Sequence, residues 1–363
     1  MRVICAIDSF KGSLSSREVG EAAANGAIRA GAEAVVFPIA DGGEGTLEAL
    51  MSFLPHELVH VTAEDLMHRP FESSYARFGD FALIECAETL GITKFTPGPE
   101  FVPYVSSYGL GQQIKDALPA ARIVVTLGGS GTTDGGTGML QALGAVFTSN
   151  GRVIPHDTNP LWTFDDVDLS GLDSRLQSTE LVIATDVTNP LDGETGAAHV
   201  FAAQKGAMVE QIQRLDRQLD LLGHKLGDIA DIQGSGAAGG LGAGLLALGG
   251  RIISGFDWVA ETIGLREACL GADLIITGEG RIDHQSAKGK VPVGVARLGQ
   301  ELDVPVVALA GSVGMELGDF ADQFAGVFSI QSTCRPLEEA MLPHIARAEI
   351  ERSAEQIVRL RRA

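Results

Sequence analysis

The segment Gly128-Gly129-Ser130-Gly131-Thr132-Thr133-Asp134-Gly135-Gly136-Thr137-Gly138, the glycine loop, follows an apolar run at 123–127 and precedes a helix-like run at 139–143. Glycine lets a backbone approach a ligand closely and adopt positive φ. Successive N–H groups in such a loop form an anion-binding concavity, which the positive end of the following helix strengthens. The hydroxyl groups add hydrogen-bond donors, and Asp134 could hold a metal. A ligand-free turn explains a single loop of this kind, but the chain has several, which favours anion binding.

The same order of strand, loop and helix recurs near both ends of the chain. The runs 3–7 and 34–39 are continuously apolar, as in buried parallel strands, and each leads through a polar, glycine-containing segment into a helix. Near the C-terminus, further strands are predicted at 274–277, 304–310 and 327–330. Strands that alternate with helices imply right-handed crossovers and a parallel sheet.

The middle of the chain has a different pattern, with three shorter strands of more polar alternation between residues 58 and 85. The length of 363 residues also exceeds the size at which a single core stops growing. We therefore predict an α/β protein in which a Rossmann- or flavodoxin-like, doubly wound parallel sheet domain comprises residues 1–60 and 260–363. A second α/β domain is inserted at 61–259, and we expect the active site in the cleft between the domains.

Polar side chains cluster after the predicted strands of the first domain. Ligands of doubly wound sheets bind beyond the carboxyl ends of the strands. Those ends carry Asp8, Ser9, Lys11, Asp41, Glu44, Glu279, Arg281, Asp283 and Ser312. Turn formation or helix capping explains an isolated carboxylate equally well. For Asp283, which is close in sequence to Glu279 and Arg281, a functional interpretation is favoured. Several carboxylates beside glycine- and hydroxyl-rich loops suggest that Mg²⁺ and phosphate bind together.

Composition excludes several classes of protein. A formal net charge of −20 argues against nucleic acid or an anionic membrane as a partner. The uncharged stretch 234–250 is too short and too rich in glycine for a membrane span, so a buried helix behind a glycine loop is predicted.

Four scattered cysteines without a C-x-x-C pair indicate a reducing compartment. The N-terminal apolar run ends at Asp8, unlike the apolar core of a signal peptide, so we expect a cytoplasmic protein. The sequence leaves open whether the protein is a homo-oligomer.

Other nucleotide and hydrolase motifs fit poorly. Gly234, Gly236 and Gly239 match G-x-G-x-x-G, but the preceding residues are too polar for the strand that a dinucleotide site requires. Lys290 follows a glycine but precedes Val291 rather than Ser or Thr, so the phosphate-binding P-loop is absent. The G-x-S-x-G elbow of serine hydrolases is also missing. A nicotinamide oxidoreductase and a non-catalytic sensor of hydroxy acids remain as alternative classes.

Six motifs in one order resemble the bacterial glycerate kinases that phosphorylate D-glycerate in glyoxylate and sugar-diacid metabolism. The motifs, which span nearly the whole chain, are DSFKGS (8–13), ADGGEGT (40–46), the glycine loop, DVTNPL (186–191), GSGAAGG (234–240) and TGEGRID (277–283). Departures from the family pattern include Gly131 and Thr133, where Ala and Asn are common, Ile7 in place of Pro, and the segment 85–88. None of these departures removes a charged group, so they affect substrate details more than the reaction.

The resemblance implies a Rossmann-like domain with an inserted α/β domain, and ATP- and Mg²⁺-dependent phosphorylation of D-glycerate. The expected product is 2-phosphoglycerate, with the 3-hydroxyl as the alternative acceptor. We infer that Asp186 or Asp283 accepts the hydroxyl proton, that Lys11 neutralises phosphate in catalysis, and that metal ligands are Asp8, Asp41, Glu44 and Glu279. The predicted substrate- and phosphate-binding residues are Ser9, Arg281, Gly128, Gly129, Ser130, Thr132, Asn189, Gly236 and Ser312.

Overall fold

The computed structural model of the protein describes residues 1–283, 290–315 and 317–363. The chain forms two compact units. The first unit comprises residues 1–41, 48–54 and 254–363, and the second comprises 42–47 and 55–253. The segment 42–47, which the predicted boundaries put in the first domain, thus groups with the second unit.

The strands of both units are, in chain order, β1 (Arg2–Cys5), β2 (Glu33–Val36), β3 (Glu57–Glu64), β4 (Pro70–Phe78), β5 (Phe81–Glu85), β6 (Arg122–Thr126), β7 (Val146–Ser149), β8 (Arg152–Val153), β9 (Asp166–Asp168), β10 (Glu180–Ala184), β11 (Arg251–Ile253), β12 (Leu274–Ile282), β13 (Val306–Val313) and β14 (Gly326–Ser329). The α-helices are α1 (Ser16–Arg29), α2 (Thr46–Met51), α3 (Cys86–Leu90), α4 (Tyr108–Ala117), α5 (Thr137–Ala142), α6 (Ala197–Phe201), α7 (Val209–Lys225), α8 (Ala237–Ala247), α9 (Gly255–Thr262), α10 (Leu265–Cys269), α11 (Val291–Leu302), α12 (Leu337–Ala340) and α13 (Pro343–Arg362).

A five-stranded sheet organises the first unit, with strand order β2-β1-β12-β13-β14 and parallel pairing throughout. Its central strands are apolar on both faces, because helices cover parallel sheets on either side. Val3, Ile4 and Ile276 are accordingly fully buried. The predicted α/β class with parallel strands is confirmed.

Strand β12 continues further than the sequence predicted. The glycines at 278 and 280 suggested a loop after Thr277, but the strand runs on to Ile282 because it pairs with β13 as far as Val313. Within this pairing Glu279 lies opposite Ala310, and Arg281 lies opposite Ser312. Since side chains alternate along a strand, Glu279 and Arg281 share one face of the sheet.

The ends of the chain pack together through helices α1 and α13. Ser15 caps α1, and Glu18 returns the hydrogen bond to the Ser15 backbone. Ile350, Ala354 and Val358 of α13 belong to the same buried core as the alanines of α1. The C-terminal segment forms two helices rather than one, α12 and α13, because Pro343 opens the second helix.

The second unit contains a mixed six-stranded sheet of order β11-β10-β6-β5-β4-β3, and a small sheet of order β8-β7-β9. The pairs among β5, β6, β10 and β11 are parallel, whereas β3, β4 and β5 pair antiparallel. The strands β7, β8, β9 and β11 were not predicted, because each has four residues or fewer and lacks a clear apolar period.

The uncharged stretch 234–250 forms the buried helix α8. Its first turn is irregular: Ala238, Gly239 and Gly240 have positive φ, and regular helix begins only after them. Across the described residues, no helix has the length and apolar character that a membrane crossing requires.

Candidate active site

A cavity of about 870 Å³ opens in the first unit, beyond the carboxyl ends of β1, β12, β13 and β14. Its lining includes four acidic and four basic side chains: Asp8, Asp41, Glu279, Asp283, Lys11, Arg281, Lys290 and Arg335. The charges of this lining balance, so the cavity is less acidic than the chain as a whole, whose net charge is −20. The cavity also contains the predicted residues Ser9 and Ser312. The structure thus brings together every predicted site residue of the first unit.

Lys11 is presented by a tight turn after β1. The backbone groups of Phe10 and Leu14 hydrogen-bond in both directions, and Gly12 between them has a φ of 75°. At the base of the turn, the Ser16 hydroxyl donates to the Ile7 carbonyl and accepts from the Ile39 N–H, at 2.8 Å each. This serine fixes the positions at which β1 and β2 lead into their loops, while Lys11 is exposed in the cavity.

Asp8 and Glu279 are the two buried carboxylates of the cavity lining, and each is 6% exposed. Burial and the negative charges of Asp41 and Glu279 together raise the pKa of Asp8 to about 8, although the hydrogen bond from the Ser9 N–H and the charge of Lys11 act to lower it. The Ser9 N–H donates to Asp8 Oδ1 at 2.7 Å. Three carboxylates therefore act on one another here, and bound positive charge would relieve their repulsion.

Lys290 is a cavity residue that the sequence analysis did not select. Its Nζ lies 3.0 Å from Glu279 Oε2. Burial lowers the pKa of Lys290, but the charges of Glu279, Asp41 and Asp8 outweigh burial and raise it overall. Glu279 Oε1 is buried and has no hydrogen-bond partner among the described residues. One oxygen of this carboxylate is therefore held by an ammonium group, and the other accepts no hydrogen bond from the residues that the structure describes.

Arg281 and Asp283 form an ion pair, with 2.9 Å between Nε and Oδ2. The arginine side chain is 73% exposed and the aspartate side chain 18% exposed. Ser312 lies beside Arg281 because the two residues are paired in the β12–β13 ladder. The guanidinium group can thus reach an anion in the cavity, while Asp283 remains largely covered.

In the second unit, the glycine loop is organised by Asp134. Its fully buried carboxylate accepts hydrogen bonds from the backbone and hydroxyl groups of Ser107 and from the N–H groups of Gly136 and Gly138. Burial raises the pKa of Asp134, although these hydrogen bonds act to lower it. The idea that Asp134 could hold a metal is therefore wrong: its oxygens fix the loop, and the N–H groups of Gly136, just before α5, and of Gly138, within it, bind this carboxylate.

Lys205 is a buried cation against the glycine loop that the sequence analysis missed. Its Nζ donates to Ser130 Oγ at 3.0 Å and to the Thr132 carbonyl at 2.6 Å. Burial lowers the pKa of Lys205 to about 8, although electrostatic interactions with Cys86 and Asp134 act to raise it. Lys205 thus fixes the positions of Ser130 and Thr132, two of the residues that were predicted to bind phosphate.

Glu44, a predicted metal ligand, lies in the second unit beside Gly129. Burial and the negative charge of Glu44 together raise the pKa of Glu85 to about 7, although hydrogen bonds from the N–H groups of residues 45–47 act to lower it. Asn189 and Gly236 also come together: the Gly236 N–H donates to the Asn189 carbonyl at 3.1 Å. Asp186 follows β10 in the same unit and is partly buried.

The model of the glycerate kinase family matches residues 3–362 of this chain. The chain belongs to the glycerate kinase family. Its relatives include the glycerate 2-kinase of Escherichia coli (39% identical over 94% of this chain and 93% of the relative) and the glycerate kinase of Halalkalibacterium halodurans (38% over 93% of each). A crystal structure described as a candidate glycerate kinase 2 from Salmonella typhimurium LT2 matches with a TM-score of 0.83, at 38% identity over 99% of this chain and 97% of that one. As a family member, the chain is an enzyme of the phosphotransferase class.

The first unit offers this family member suitable oxygen donors for Mg²⁺. No group of three or more His, Cys, Asp or Glu within residues 1–283, 290–315 and 317–363 forms a ready metal cage. Magnesium does not require one, since it is usually held by one or two carboxylates together with water and substrate phosphates. The unpartnered Glu279 Oε1 and the raised pKa of Asp8 fit that mode of binding.

We expect Gly239→Ala to destabilise this glycerate kinase family member by about 3 kcal/mol, because two costs add. Gly239 has a φ of 75°, and a Cβ there would lie 2.1 Å from the Thr132 carbonyl oxygen. Gly249→Ala is the matched control: its φ is 85°, but nothing lies within 4 Å of an added Cβ. It should lose only about 1 kcal/mol. Equal losses in urea unfolding would show that the contact with the glycine loop is unimportant.

The pKa of Lys205 predicts how stability changes with pH. A folded-state pKa of about 8, below the unfolded 10.5, means that the unfolded chain binds more protons between these values. Burying the charged form of Lys205 lowers the free energy of unfolding. This loss is complete below pH 8 and is relieved as the pH rises towards 10.5. Between pH 7.5 and 9.5, the free energy of unfolding of the wild type should therefore rise by about 2 kcal/mol relative to that of Lys205→Met, which has no group titrating at this position. A difference between the two proteins that does not change with pH would contradict this prediction.

Proposed function

We propose that the protein transfers the γ-phosphoryl group of ATP to a hydroxyl group of D-glycerate, with Mg²⁺, and forms 2-phosphoglycerate. One observation carries the proposal: in a strongly acidic chain, a cavity beyond the strand ends combines mutually repelling carboxylates with several cations. Phosphoryl transfer depends mainly on positioning and on stabilising negative charge, and such a lining does both. The family resemblance adds glyoxylate or sugar-diacid metabolism in the cytoplasm as the proposed setting.

Asp8, Asp41 and Glu279 would hold the metal in the first unit, directly or through water, and Glu44 would contribute from the second. Bound Mg²⁺ supplies positive charge between the β- and γ-phosphate oxygens. Lys290 holds Glu279 Oε2 and so leaves the buried Oε1 of the same carboxylate for a ligand. Because Asp8 has a pKa of about 8, cation binding would displace its proton near neutral pH.

The remaining cations and hydroxyls would bind the anionic parts of the substrates. Lys11 is proposed to neutralise the transferred phosphate, and Arg281 to bind phosphate or the glycerate carboxylate, with Ser9 and Ser312 as additional donors. In the second unit, the proposed contacts to phosphate or glycerate come from Gly128, Gly129, Ser130, Thr132, Asn189 and Gly236. Lys205 would keep Ser130 and Thr132 in position for this role.

The proton of the substrate hydroxyl would pass to Asp283 or Asp186. Asp283 directly follows β12 and lines the charged cavity, where Arg281 orients its carboxylate. Asp186 follows β10 in the second unit, within a motif shared with the family. In either case the carboxylate must reach the hydroxyl within hydrogen-bonding distance, and position matters before pKa.

The test is product analysis with Mg-ATP and D-glycerate. We expect glycerate-dependent release of ADP and a ³¹P NMR signal that couples to the proton on C2 of the product. EDTA should abolish the reaction and added Mg²⁺ should restore it. Binding of glycerate without release of ADP would support a hydroxy-acid sensor, and glycerate-dependent reduction of NAD would support an oxidoreductase. Activity in chelated, metal-free protein would refute the carboxylate assignments.

A further inference from the structure

The cavity of the first unit has an uncharged wall that the charged groups do not account for. Besides its charged residues and several small polar ones, the cavity lining includes five apolar residues of the C-terminal segment: Ile330, Leu337, Ala340, Met341 and Ala346. Glycerate has three carbons, a carboxylate and two hydroxyl groups, and so offers nothing to an aliphatic wall. A volume of about 870 Å³ also lies near the upper end of the range for small-molecule sites. The lining therefore fits a larger ligand with one anionic part and one uncharged, ring-like part.

The uncharged wall reaches the turn that carries Lys11. An added Cβ on Gly12 would lie 3.0 Å from Met341 Cε, so the methionine side chain packs directly over this turn. Ile330 and Ala346 are each 2% exposed and belong to the core between α1 and α13. The apolar surface is thus continuous with a rigid core and lies next to a cation of the charged end.

The loop between the wall and β14 is also fixed. Arg335 Nη1 and Ser332 Oγ both donate to Glu349 Oε1, at 2.7 and 2.8 Å, and Glu349 is 4% exposed. A buried carboxylate on α13 thereby anchors the segment that includes Cys334. A preformed site loses less entropy on binding, so this end of the cavity is suited to a ligand that must be held in one orientation.

We propose that this cavity is the nucleotide subsite, with the nucleoside against Leu337, Ala340 and Met341 and the phosphates towards Lys11 and Lys290. The proposal rests on the proposed kinase function and adds the location of the nucleotide. Apolar side chains contact the faces of the base, and the cations bind the phosphates, together with Mg²⁺ held by Asp8 and its neighbouring carboxylates. Glycerate then binds beyond the γ-phosphate rather than against the aliphatic wall.

Cys334 provides a direct test of occupancy. Among the four cysteines it is exposed, whereas Cys5, Cys86 and Cys269 are buried. A maleimide should therefore label the full-length protein once, at Cys334, and Cys334→Ser should remain unlabelled. At a concentration of the ATP analogue AMP-PNP, with Mg²⁺, ten times its dissociation constant, we expect labelling to slow about tenfold. D-Glycerate alone should leave the labelling rate unchanged.

A pair of variants then distinguishes contact from an indirect effect on Cys334. Leu337 and Leu360 are exposed to 72% and 75%, but Leu360 does not line the cavity. Leu337→Glu should raise KM for ATP about tenfold, which corresponds to about 1.4 kcal/mol, and leave KM for glycerate unchanged. Leu360→Glu should change neither value.

The outcomes separate this inference from the proposed function. If glycerate is phosphorylated but AMP-PNP does not slow labelling, or glycerate alone slows it, the nucleotide lies elsewhere and only the subsite assignment fails. An unchanged KM for ATP in Leu337→Glu would likewise overturn the position of the nucleoside. If AMP-PNP protects Cys334 and glycerate is not phosphorylated, the subsite stands and the assigned acceptor is wrong.

Discussion

Asp283→Asn is expected to lower kcat for glycerate phosphorylation by roughly 10²- to 10⁴-fold, the contribution usually made by a positioned general base. The substitution keeps the size and shape of the side chain and removes its charge and basicity. Asp283 is favoured over Asp186 because it lines the cavity that contains Lys11 and Glu279. Binding of ATP should change much less than kcat, since the base acts on the acceptor hydroxyl.

Asp186→Asn is the competing experiment, and Asp319→Asn is the control. Asp319 is an exposed aspartate of the first unit that does not line the cavity, so its variant should keep normal turnover. A large loss in Asp186→Asn with little change in Asp283→Asn would move the base to the second unit. If both variants keep near-normal turnover, neither carboxylate is the base.

Because Asp283 also holds Arg281, its variant could act through the arginine. Arg281→Gln separates the two roles, since it removes the ion pair but leaves the carboxylate. If Arg281 only binds an anion, its loss should raise KM, while loss of the base should lower kcat. Equal changes in kcat and KM for both variants would indicate that the pair acts as one positioning unit.

The pattern of apolar runs predicted the parallel strands of the first unit because burial on both faces leaves a continuous signal in the sequence. It failed at Gly278, where a glycine that suggests a turn instead lies within an extended strand. The reason is tertiary: the partner β13 extends to Val313, and its pairing with β12 continues to Ile282. Edge additions such as β11 also depend on a neighbour rather than on their own sequence.

The cavity residues were predictable because the carboxyl ends of parallel strands converge at one edge of the sheet. Lys290 lies 11 residues after its partner Glu279, but it was considered only as part of a P-loop pattern that it does not complete. Lys205 was not predictable, since it is brought to its partners from a distant part of the chain. Lys205 is separated by 73 residues from the carbonyl of Thr132 that it holds, and no local motif marks it. Asp134 showed the converse error, because a carboxylate in a glycine-rich loop suggests a ligand site until its hydrogen bonds to Ser107, Gly136 and Gly138 are seen.

Lys11→Met should cost about 3–4 kcal/mol of transition-state stabilisation, or 10²- to 10³-fold in rate, by analogy with the loss of one preorganised donor. Methionine keeps the apolar stem and removes the ammonium group. The N-terminus of α1 cannot replace this charge, since Ser15 and Glu18 already satisfy its capping hydrogen bonds. The flexible ammonium of Lys11 also suits a negative charge that moves during transfer, whereas the planar arginine fork suits a fixed carboxylate.

Thermal stability of Lys11→Met should barely change, because Lys11 is exposed and its turn is held by the backbone of Phe10 and Leu14. Lys115→Met, at an exposed lysine on α4 of the second unit, is the matched control and should keep normal turnover. Steady-state kinetics and melting curves of both variants decide the question. Normal turnover in Lys11→Met would refute a role in phosphoryl transfer, and a large fall in its melting temperature would show that Lys11 supports the turn itself.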